Sequence, residues 1–505
     1  MSVQLADLNH YTQSKNEEAP FSAMHDHVEH ATLPIEHPSQ KDQSTVIGDD
    51  PDYPVNWPRY KVKFLISETL DSKLTCLKRN INLGLISFHA FMTNFVGAGI
   101  IPVYSTLAEK FGVEIQDVSY LTSIHILCTG LTPFFLVPLS TRFGRRPVWL
   151  VSTLFTAVCN VGCAESQSYA PMLVCRILGS LMLGAPIALG PPVVMELFAE
   201  QDRGIALGTW SVFVTLGPLT GPFVMGFVSE RLGWQWIYWI FTLISGAQFV
   251  LYFLFSPETR YIQREKSTST SSLMKLITFS RIDPTPFSMS EIIRPFSMGK
   301  RMTILLPVLS HSMIFCLSAA MLTMEIPQLF ATRFELGPEQ TGIQFLGIIV
   351  GTILGEAFNV VVLSLMNRRT VEKQPHAVNP RNYLIASYLG FVSMIVGLVV
   401  FCVLLGNTLP MHYKVSPIIG IGVAGFGNQL VSNFLINYIM HIHSDNAANA
   451  SIFLGFIRQT WSFIGPFWFP AMFETVGITN CAGLLSALVV ISALPVIWLH
   501  WRSRS

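Results

Sequence analysis

The sequence predicts an all-α membrane protein with twelve transmembrane helices in two six-helix bundles. Of its 505 residues, 50% are hydrophobic and 12% are charged, whereas soluble domains carry about 25% charged residues. Twelve apolar runs are long enough to cross a hydrocarbon core of about 30 Å. The basic residues between the runs concentrate in alternate loops, as expected of a membrane topology with a defined cytoplasmic side.

The chain divides into five predicted segments. Residues 1–79 are polar and lack an apolar run, so we interpret them as a disordered cytoplasmic tail. The remaining segments are an N-terminal six-helix bundle over 80–255, a cytoplasmic linker over 256–302, a C-terminal six-helix bundle over 303–500 and a cytoplasmic tail over 501–505.

The twelve predicted spans follow one another with short polar breaks. They cover 81–105, 118–140, 147–165, 171–195, 206–228, 234–255, 303–329, 341–366, 383–406, 415–440, 447–472 and 477–500. With both termini cytoplasmic, the inside loops hold eighteen Lys and Arg residues and the outside loops hold four. This asymmetry agrees with the positive-inside rule and supports the topology.

A short basic loop separates the second and third spans. It contains Arg142, Gly144, Arg145 and Arg146. The loop resembles the Gly-x-x-x-Asp-Arg-x-Gly-Arg-Arg/Lys signature of the major facilitator superfamily, although Val137 and Thr141 replace the family's Gly and Asp. The resemblance implies the major facilitator fold and a role for this loop in conformational change. A plain turn between two membrane helices is the alternative interpretation.

Two charged residues of the fourth span match further family patterns. Arg176 lies in the apolar run, where an Arg costs at least about 2.5 kcal/mol unless it faces a cavity or a partner. The family's matching Arg is linked to proton coupling; an Arg tied to backbone carbonyls is the alternative. Glu196 ends the span, and the resemblance implies that it pairs with Arg142 or Arg145 as a gating contact.

The fifth span carries two Gly-Pro pairs four residues apart. The motif residues are Gly217, Pro218, Gly221, Pro222 and Gly226. Glycine permits close helix approach and proline kinks a helix, so these residues predict a small, bent face. The stretch resembles the helix 5 antiporter motif, which is associated with exporters, while a packing kink is the alternative.

Aromatic and acidic segments at both ends of the sixth span add to the resemblance. Gly233–Trp239 and Ser256–Thr259 look like segments of fungal drug:proton antiporters, as does the Asp50–Trp57 segment before the first span. The sequence therefore resembles the fungal drug:proton antiporter family.

Several polar residues lie at membrane depth. The further proton-coupling or gating candidates are Glu325, Glu356 and Arg458, and the substrate-cavity candidates are Asn94, Asn433 and Asn437. Arg458 matches a family position. Ionisable groups at this depth face protein or a wet cavity, so Glu356 is either a proton carrier, an anchor for a cationic substrate, or a structural hydrogen-bonding group.

The sequence also excludes several classes. It contains no P-loop, nucleophile elbow, zinc-protease motif or paired Cys/His cluster, and the net charge of +1 disfavours nucleic acid binding. We expect no enzyme activity, no catalytic residue, no cofactor and no metal. The expected partners are a small-molecule substrate and the lipid bilayer, and we expect a monomer without an obligate protein partner.

These observations predict proton-coupled export of a small amphipathic or hydrophobic compound, either a drug or a fungal secondary metabolite, across the plasma membrane or the vacuolar membrane. The alternative within the same fold is an uptake symporter for a sugar, organic acid or vitamin. Among membrane proteins that are not transporters, the alternatives are a sensor and a membrane-embedded enzyme.

Overall fold

The computed structural model describes residues 66–198, 200–259, 281–283, 286–373, 380–409 and 411–502. All of them belong to one compact unit, Pro51–Ser505. The predicted tail up to residue 65, the linker segment 260–280 and residues 503–505 lie outside the described residues. The prediction of disorder is wrong for residues 66–79, which form the start of the helix that continues into the first span. The described part of the chain is helical and contains no strand.

Eight helices form the first half of the described chain. They are α1 Ile66–Ala98, α2 Tyr104–Phe111, α3 Ile115–Phe143, α4 Arg145–Ala164, α5 Tyr169–Leu183, α6 Ala185–Leu197, α7 Glu200–Leu232 and α8 Gln235–Phe255. The predicted first span is interrupted by the 3₁₀ turn Ile101–Val103, and the predicted fourth span breaks at Gly184 between α5 and α6.

The second half contains ten helices in the described residues. They are α9 Met289–Ile293, α10 Met302–Phe315, α11 Met321–Phe334, α12 Pro338–Ile343, α13 Phe345–Lys373, α14 Arg381–Gly406, α15 Ser416–Ile442, α16 Ala447–Ile464, α17 Phe469–Val476 and α18 Ile478–Arg502. A π-helical turn, Cys316–Ala320, joins α10 to α11.

Eleven of the predicted spans coincide with helical segments that are long and apolar enough to cross a membrane. The predicted eleventh span is the exception among the described residues, because α16 carries the polar Asn449, Arg458 and Gln459. This helix nevertheless packs against α3 and α10 within the bundle. Its polar side chains are therefore compatible with a membrane location, since they can face protein.

Contacts within each half define the two bundles. In the first half, α1 packs on α7 and α4 packs on α8; in the second half, α15 packs on both α13 and α14, and α18 on α14. The halves meet where α3 contacts α16 and where α7 contacts α12 and α13. The twelve-span fold is thus confirmed, whereas the exact boundaries of the predicted domains remain predictions.

The outward faces of the helices are apolar. Val158, Leu243 and Leu254 are all more than 60% exposed, while their helices pack on others through the opposite face. Such broad apolar exposure suits contact with lipid, because lipid tails are as apolar as these side chains.

Candidate functional site

The basic loop is a tight junction between α3 and α4. Gly144 adopts φ +94°, and a Cβ at this position would collide with the Glu258 carboxylate. That carboxylate accepts the backbone N–H of Arg145 at 2.8 Å and of Arg146 at 3.0 Å. Glu258 therefore caps the N-terminus of α4, where a negative charge is stabilised by the helix dipole.

Arg145 is the partner of Glu196. Its Nη2 donates to the Glu196 carboxylate at 2.9 Å, and Thr259 Oγ1 donates to the other carboxylate oxygen at 3.1 Å. The sequence left Arg142 and Arg145 as alternative partners, and the structure selects Arg145. This contact joins the loop to the end of α6, so the ends of three spans meet at what we call the basic end of the bundle, the end that carries Arg142, Arg145 and Arg146.

Arg142 instead binds the segment between the two halves. Its guanidinium makes two hydrogen bonds to the Glu291 carboxylate, at 2.9 and 2.8 Å, and a third at 2.8 Å to the Pro286 carbonyl. The guanidinium also lies 4.8 Å from the centre of the Phe287 ring. The Arg142 side chain is buried, so these contacts replace the water that a free guanidinium would need.

The backbone of Arg142 contributes to the same contact. Its carbonyl accepts the N–H of Ile282 at 2.7 Å and of Asp283 at 3.2 Å. We call Ile282, Asp283, Pro286, Phe287 and Glu291 the docked segment. Glu291 thus supplies a carboxylate to this loop, in which Thr141 occupies the place of the family's Asp.

The docked segment should respond to acid through Glu291. The hydrogen bonds from Arg142 hold the pKa of the Glu291 carboxyl below its ordinary value, so this stabilisation is complete at neutral pH and is lost as pH falls through the lowered pKa. We expect Glu291→Gln to remove the ion pair and so release the docked segment at every pH. The lost stabilisation should be about 1 kcal/mol, because Glu291 is partly exposed. The release is measured as a loss of hydrogen-exchange protection at the Ile282 and Asp283 amides, after correction for the intrinsic exchange rate at each pH.

The matched control is Glu109→Gln, which removes an exposed acid far along the chain from this contact. The control should keep the wild-type protection of the Ile282 and Asp283 amides. Wild-type protection in Glu291→Gln at pH 7 would contradict the role of this ion pair.

Arg176 is satisfied by backbone carbonyls. Its Nη1 donates to Val96 O at 3.1 Å and its Nη2 to Gly97 O at 3.0 Å. The buried guanidinium also lies 6.0 Å from the centre of the Tyr238 ring. These bonds join α5 to α1, which is the carbonyl-bound arrangement that the sequence left open as the alternative to proton coupling.

A buried histidine that the sequence analysis did not single out supports the same region. His125 is hydrogen-bonded to Ser180 Oγ at 2.7 Å and to Thr93 O at 3.0 Å. A Cβ at Gly97 would lie 2.5 Å from the His125 ring. His125 therefore links α3 to α1 and α5, and its only sequence signal was its place in an apolar run.

The Gly-Pro residues of α7 pack against two helices. A Cβ at Gly221 would lie 2.7 Å from Phe95 O, and one at Gly217 would lie 3.0 Å from Asn94 Cβ, so both glycines touch α1. A Cβ at Gly226 would lie 2.7 Å from Pro338 O in α12. The motif therefore lies between α1 and the second half of the chain.

Asn94 belongs to this helix contact. Its Nδ2 donates to Val214 O in α7 at 3.0 Å. The side chain is partly exposed, so one amide group both holds α1 against α7 and remains partly accessible.

Glu356 is held by two amides from α15. Its Oε2 accepts Gln429 Nε2 at 2.6 Å and Asn433 Nδ2 at 2.7 Å. The sequence singled out Glu356 and Asn433 separately, and the structure brings them together. Gln429 was missed, although its place four residues before Asn433 puts both on one helix face. Asn437 lies one turn further along α15 and is partly exposed.

Glu325 is the second acid of the interior. It is buried, and its Oε1 has no hydrogen-bond partner among the described residues. It follows the π-helical turn Cys316–Ala320, a distortion that often marks functional positions in helices. The buried Tyr104 lies near both Glu325 and Arg176.

The two halves also meet through polar and aromatic contacts along α3 and α16. Gln459 Nε2 donates to Thr129 Oγ1 at 3.3 Å. Arg458, the neighbour of Gln459, turns towards α10 and lies 4.6 Å from the centre of the Phe315 ring.

Comparison with known proteins decides the family. A family model described as the Major Facilitator Superfamily matches residues 84–466. The chain belongs to the major facilitator superfamily. As a member of this superfamily with eleven apolar helices of membrane-spanning length in its described residues, it is a multi-pass membrane transporter.

Two curated relatives of this superfamily member come from Fusarium species. The chain is 29% identical over 395 residues to the MFS transporter fsa7 of Fusarium sp., covering 76% of this chain and 72% of that protein. It is 22% identical over 462 residues to the efflux pump FUBT of Fusarium oxysporum, covering 88% of this chain and 76% of that protein.

A solved structure shows the same fold. The human organic anion transporter MFSD10 superposes with a TM-score of 0.55 at 16% sequence identity, covering 83% of this chain and 99% of that chain. At this identity the likeness concerns the fold alone.

Proposed function

We propose that this chain exports a small amphipathic or hydrophobic compound, a drug or a fungal secondary metabolite, in exchange for protons. The observation that carries the proton coupling is the Glu356 carboxylate, which is held at membrane depth by Gln429 and Asn433. Export is favoured over uptake by the helix 5 Gly-Pro motif and by the names of curated relatives, which include efflux pumps. No enzymatic step is part of this proposal.

Protonation of Glu356 would change the contact between α13 and α15. The ionised carboxylate accepts two amide N–H groups, whereas the protonated acid has one oxygen that donates instead. Both amides donate to Oε2, so a proton on Oε1 would weaken both hydrogen bonds, because Oε2 would no longer share the negative charge. The contact between α13 and α15 would loosen as a result.

The basic end of the bundle supplies the gate. In this proposal the Arg145–Glu196 and Arg142–Glu291 pairs hold the loop when that end is closed. Arg146 ties the loop to α8 through its bond to Phe253 O at 2.9 Å. Arg176, Glu325 and Arg458 remain candidates for steps between proton binding and substrate release. The halves would rock about the central site.

The proposed membrane is the plasma membrane, with the vacuolar membrane as the alternative, and the basic end faces the cytoplasm. An epitope tag inserted at residue 270 is expected to bind antibody only after cells are permeabilised. A tag at Lys414, in a predicted outside loop, is the control and should be labelled in intact protoplasts. Labelling of the residue 270 tag in intact protoplasts would contradict the proposed orientation, because it would place the basic end outside the cytoplasm.

Everted membrane vesicles test the function. With an acidic lumen, a proton-coupled exporter should concentrate an amphipathic fluorescent probe in the lumen, and a protonophore should abolish this. A symporter would instead empty preloaded vesicles when protons leave, and no probe movement above that of vesicles lacking the protein would contradict transport of this class of compound.

A further inference from the structure

Arg458 is an interior cation with no anionic partner among the described residues. Its guanidinium forms no ion pair and donates no hydrogen bond to any residue that the structure describes, and its Nε is buried. Its observed contact is with the Phe315 ring. By contrast, Arg142 and Arg145 each bind a carboxylate, and Arg176 binds two carbonyls.

A second polar side chain lies unpaired beside it. His311 is fully buried in α10, and neither of its ring nitrogens has a hydrogen-bond partner among the described residues. Its ring centre lies 6.2 Å from that of Phe315, and the Arg458 charge acts on it. The hydroxyl of the adjacent Ser312 is also buried without a partner in this part of the chain.

Leaving these groups unpaired is costly in a membrane protein. A buried polar group without a partner costs about 1–3 kcal/mol, and a charged one costs more. The Arg458 side chain is partly exposed although its Nε is buried, so a ligand can reach the rest of the guanidinium. An anion would satisfy Arg458 and His311, because a guanidinium and a neutral imidazole N–H both donate to oxygen.

The surroundings indicate what the anion carries. Phe315 forms an apolar wall beside the guanidinium, and Trp461, one turn after Arg458 on α16, is 40% exposed. A small inorganic anion would leave these rings uncovered. An aromatic or alicyclic organic acid would cover them while its carboxylate binds the charged group.

We propose that Arg458 and His311 bind the carboxylate of an amphipathic organic acid, which assigns the exported substrate to this class. This inference rests on the proposed export function and gives it a substrate chemistry. The anion site lies between α10 and α16, and the acid Glu356 lies on α13, so the substrate and the proton bind to different helices of the second half.

Matched small probes test the site in the purified full-length protein. We expect 1-naphthoate to bind, measured by titration calorimetry, while 1-naphthamide and 1-naphthylmethylamine bind at least about 10-fold more weakly, as expected when a charged hydrogen-bonding partner is lost. Arg458→Gln should weaken naphthoate binding at least about 10-fold, and Arg458→Lys less, because Lys keeps the charge without the planar guanidinium.

Two further variants distinguish loss of the anion site from misfolding and from a general loss of surface charge. His311→Asn should weaken naphthoate binding without affecting the amide, and Lys110→Gln, which removes an exposed charge, should change neither. If Arg458→Gln does not elute as a monodisperse protein, naphthoate binding by His311→Asn and Arg458→Lys tests the site instead. Equal affinity for the acid and the amide, or unchanged naphthoate binding in these variants, would overturn the proposal.

Transport distinguishes the two levels of inference. Proton-driven accumulation of a cationic probe, with no naphthoate binding, would leave export standing and overturn the anion site. Naphthoate binding that depends on Arg458, in vesicles that transport nothing under a pH gradient, would support the site and contradict export.

Discussion

Gly221→Leu is expected to abolish proton-driven export while the protein still reaches the membrane. A Cβ at this position would lie 2.7 Å from Phe95 O and 3.3 Å from Gly99 N, and both are backbone atoms that cannot rotate away. The side chain must therefore push α7 off α1, at a cost of about 1–3 kcal/mol for overpacking. Vesicle export rate, divided by the amount of protein in the membrane, measures the effect.

Gly208 provides the matched control on the same helix. A Cβ at Gly208 meets nothing within 4 Å, so Gly208→Ala should keep normal export and gain up to about 1 kcal/mol of helix stability. Gly221→Ala, which makes the same chemical change, should reduce export. Full export by Gly221→Leu would contradict a role of the Gly-Pro motif in export and would leave only its role in helix packing.

Glu356→Gln should remove uphill transport and leave passive exchange. Gln keeps the size of the side chain and can still accept a hydrogen bond, but it cannot release a proton. In vesicles with an acidic lumen, the probe should therefore reach equal concentrations on both sides. Counterflow of labelled against unlabelled probe, which needs no proton gradient, should continue.

Gln429→Leu is the control for the hydrogen bonds around Glu356. It removes one of the two amide donors and leaves the acid in place, so uphill transport should continue at a reduced rate. If Glu356→Gln still concentrates the probe under a pH gradient, Glu356 is a structural group. Glu325 and Arg176, which both lie near Tyr104, would then be tested as the proton-coupling pair.

The basic end shows where prediction from sequence stopped. The loop residues Arg142 and Arg145 were recognised, and Glu196 was predicted to bind one of them. The partner of Arg142 is Glu291, which lies 149 residues away in a segment whose sequence shows no sign of where it docks. Glu258 was noted as part of a family segment, but its capping of α4 depends on where two loops meet.

The interior polar groups divide in the same way. Membrane depth singled out Arg176, Glu325, Glu356, Asn433 and Arg458, because each is an uncommon residue in an apolar run. Their contacts were not predictable: Arg176 binds backbone carbonyls, which every residue has, and Arg458 faces Phe315 and the unpaired His311.

The sequence by itself determined that the chain is helical, that it crosses the membrane and approximately where each span lies. These properties depend on single segments, since each backbone polar group in lipid must be satisfied within its own helix. Tertiary structure alone decided which acid pairs with which base, which amides hold Glu356 and which interior cation has no partner among the described residues. The physical reason is that hydrogen bonds and ion pairs require atoms within about 3 Å, and packing brings residues far apart in sequence to that distance.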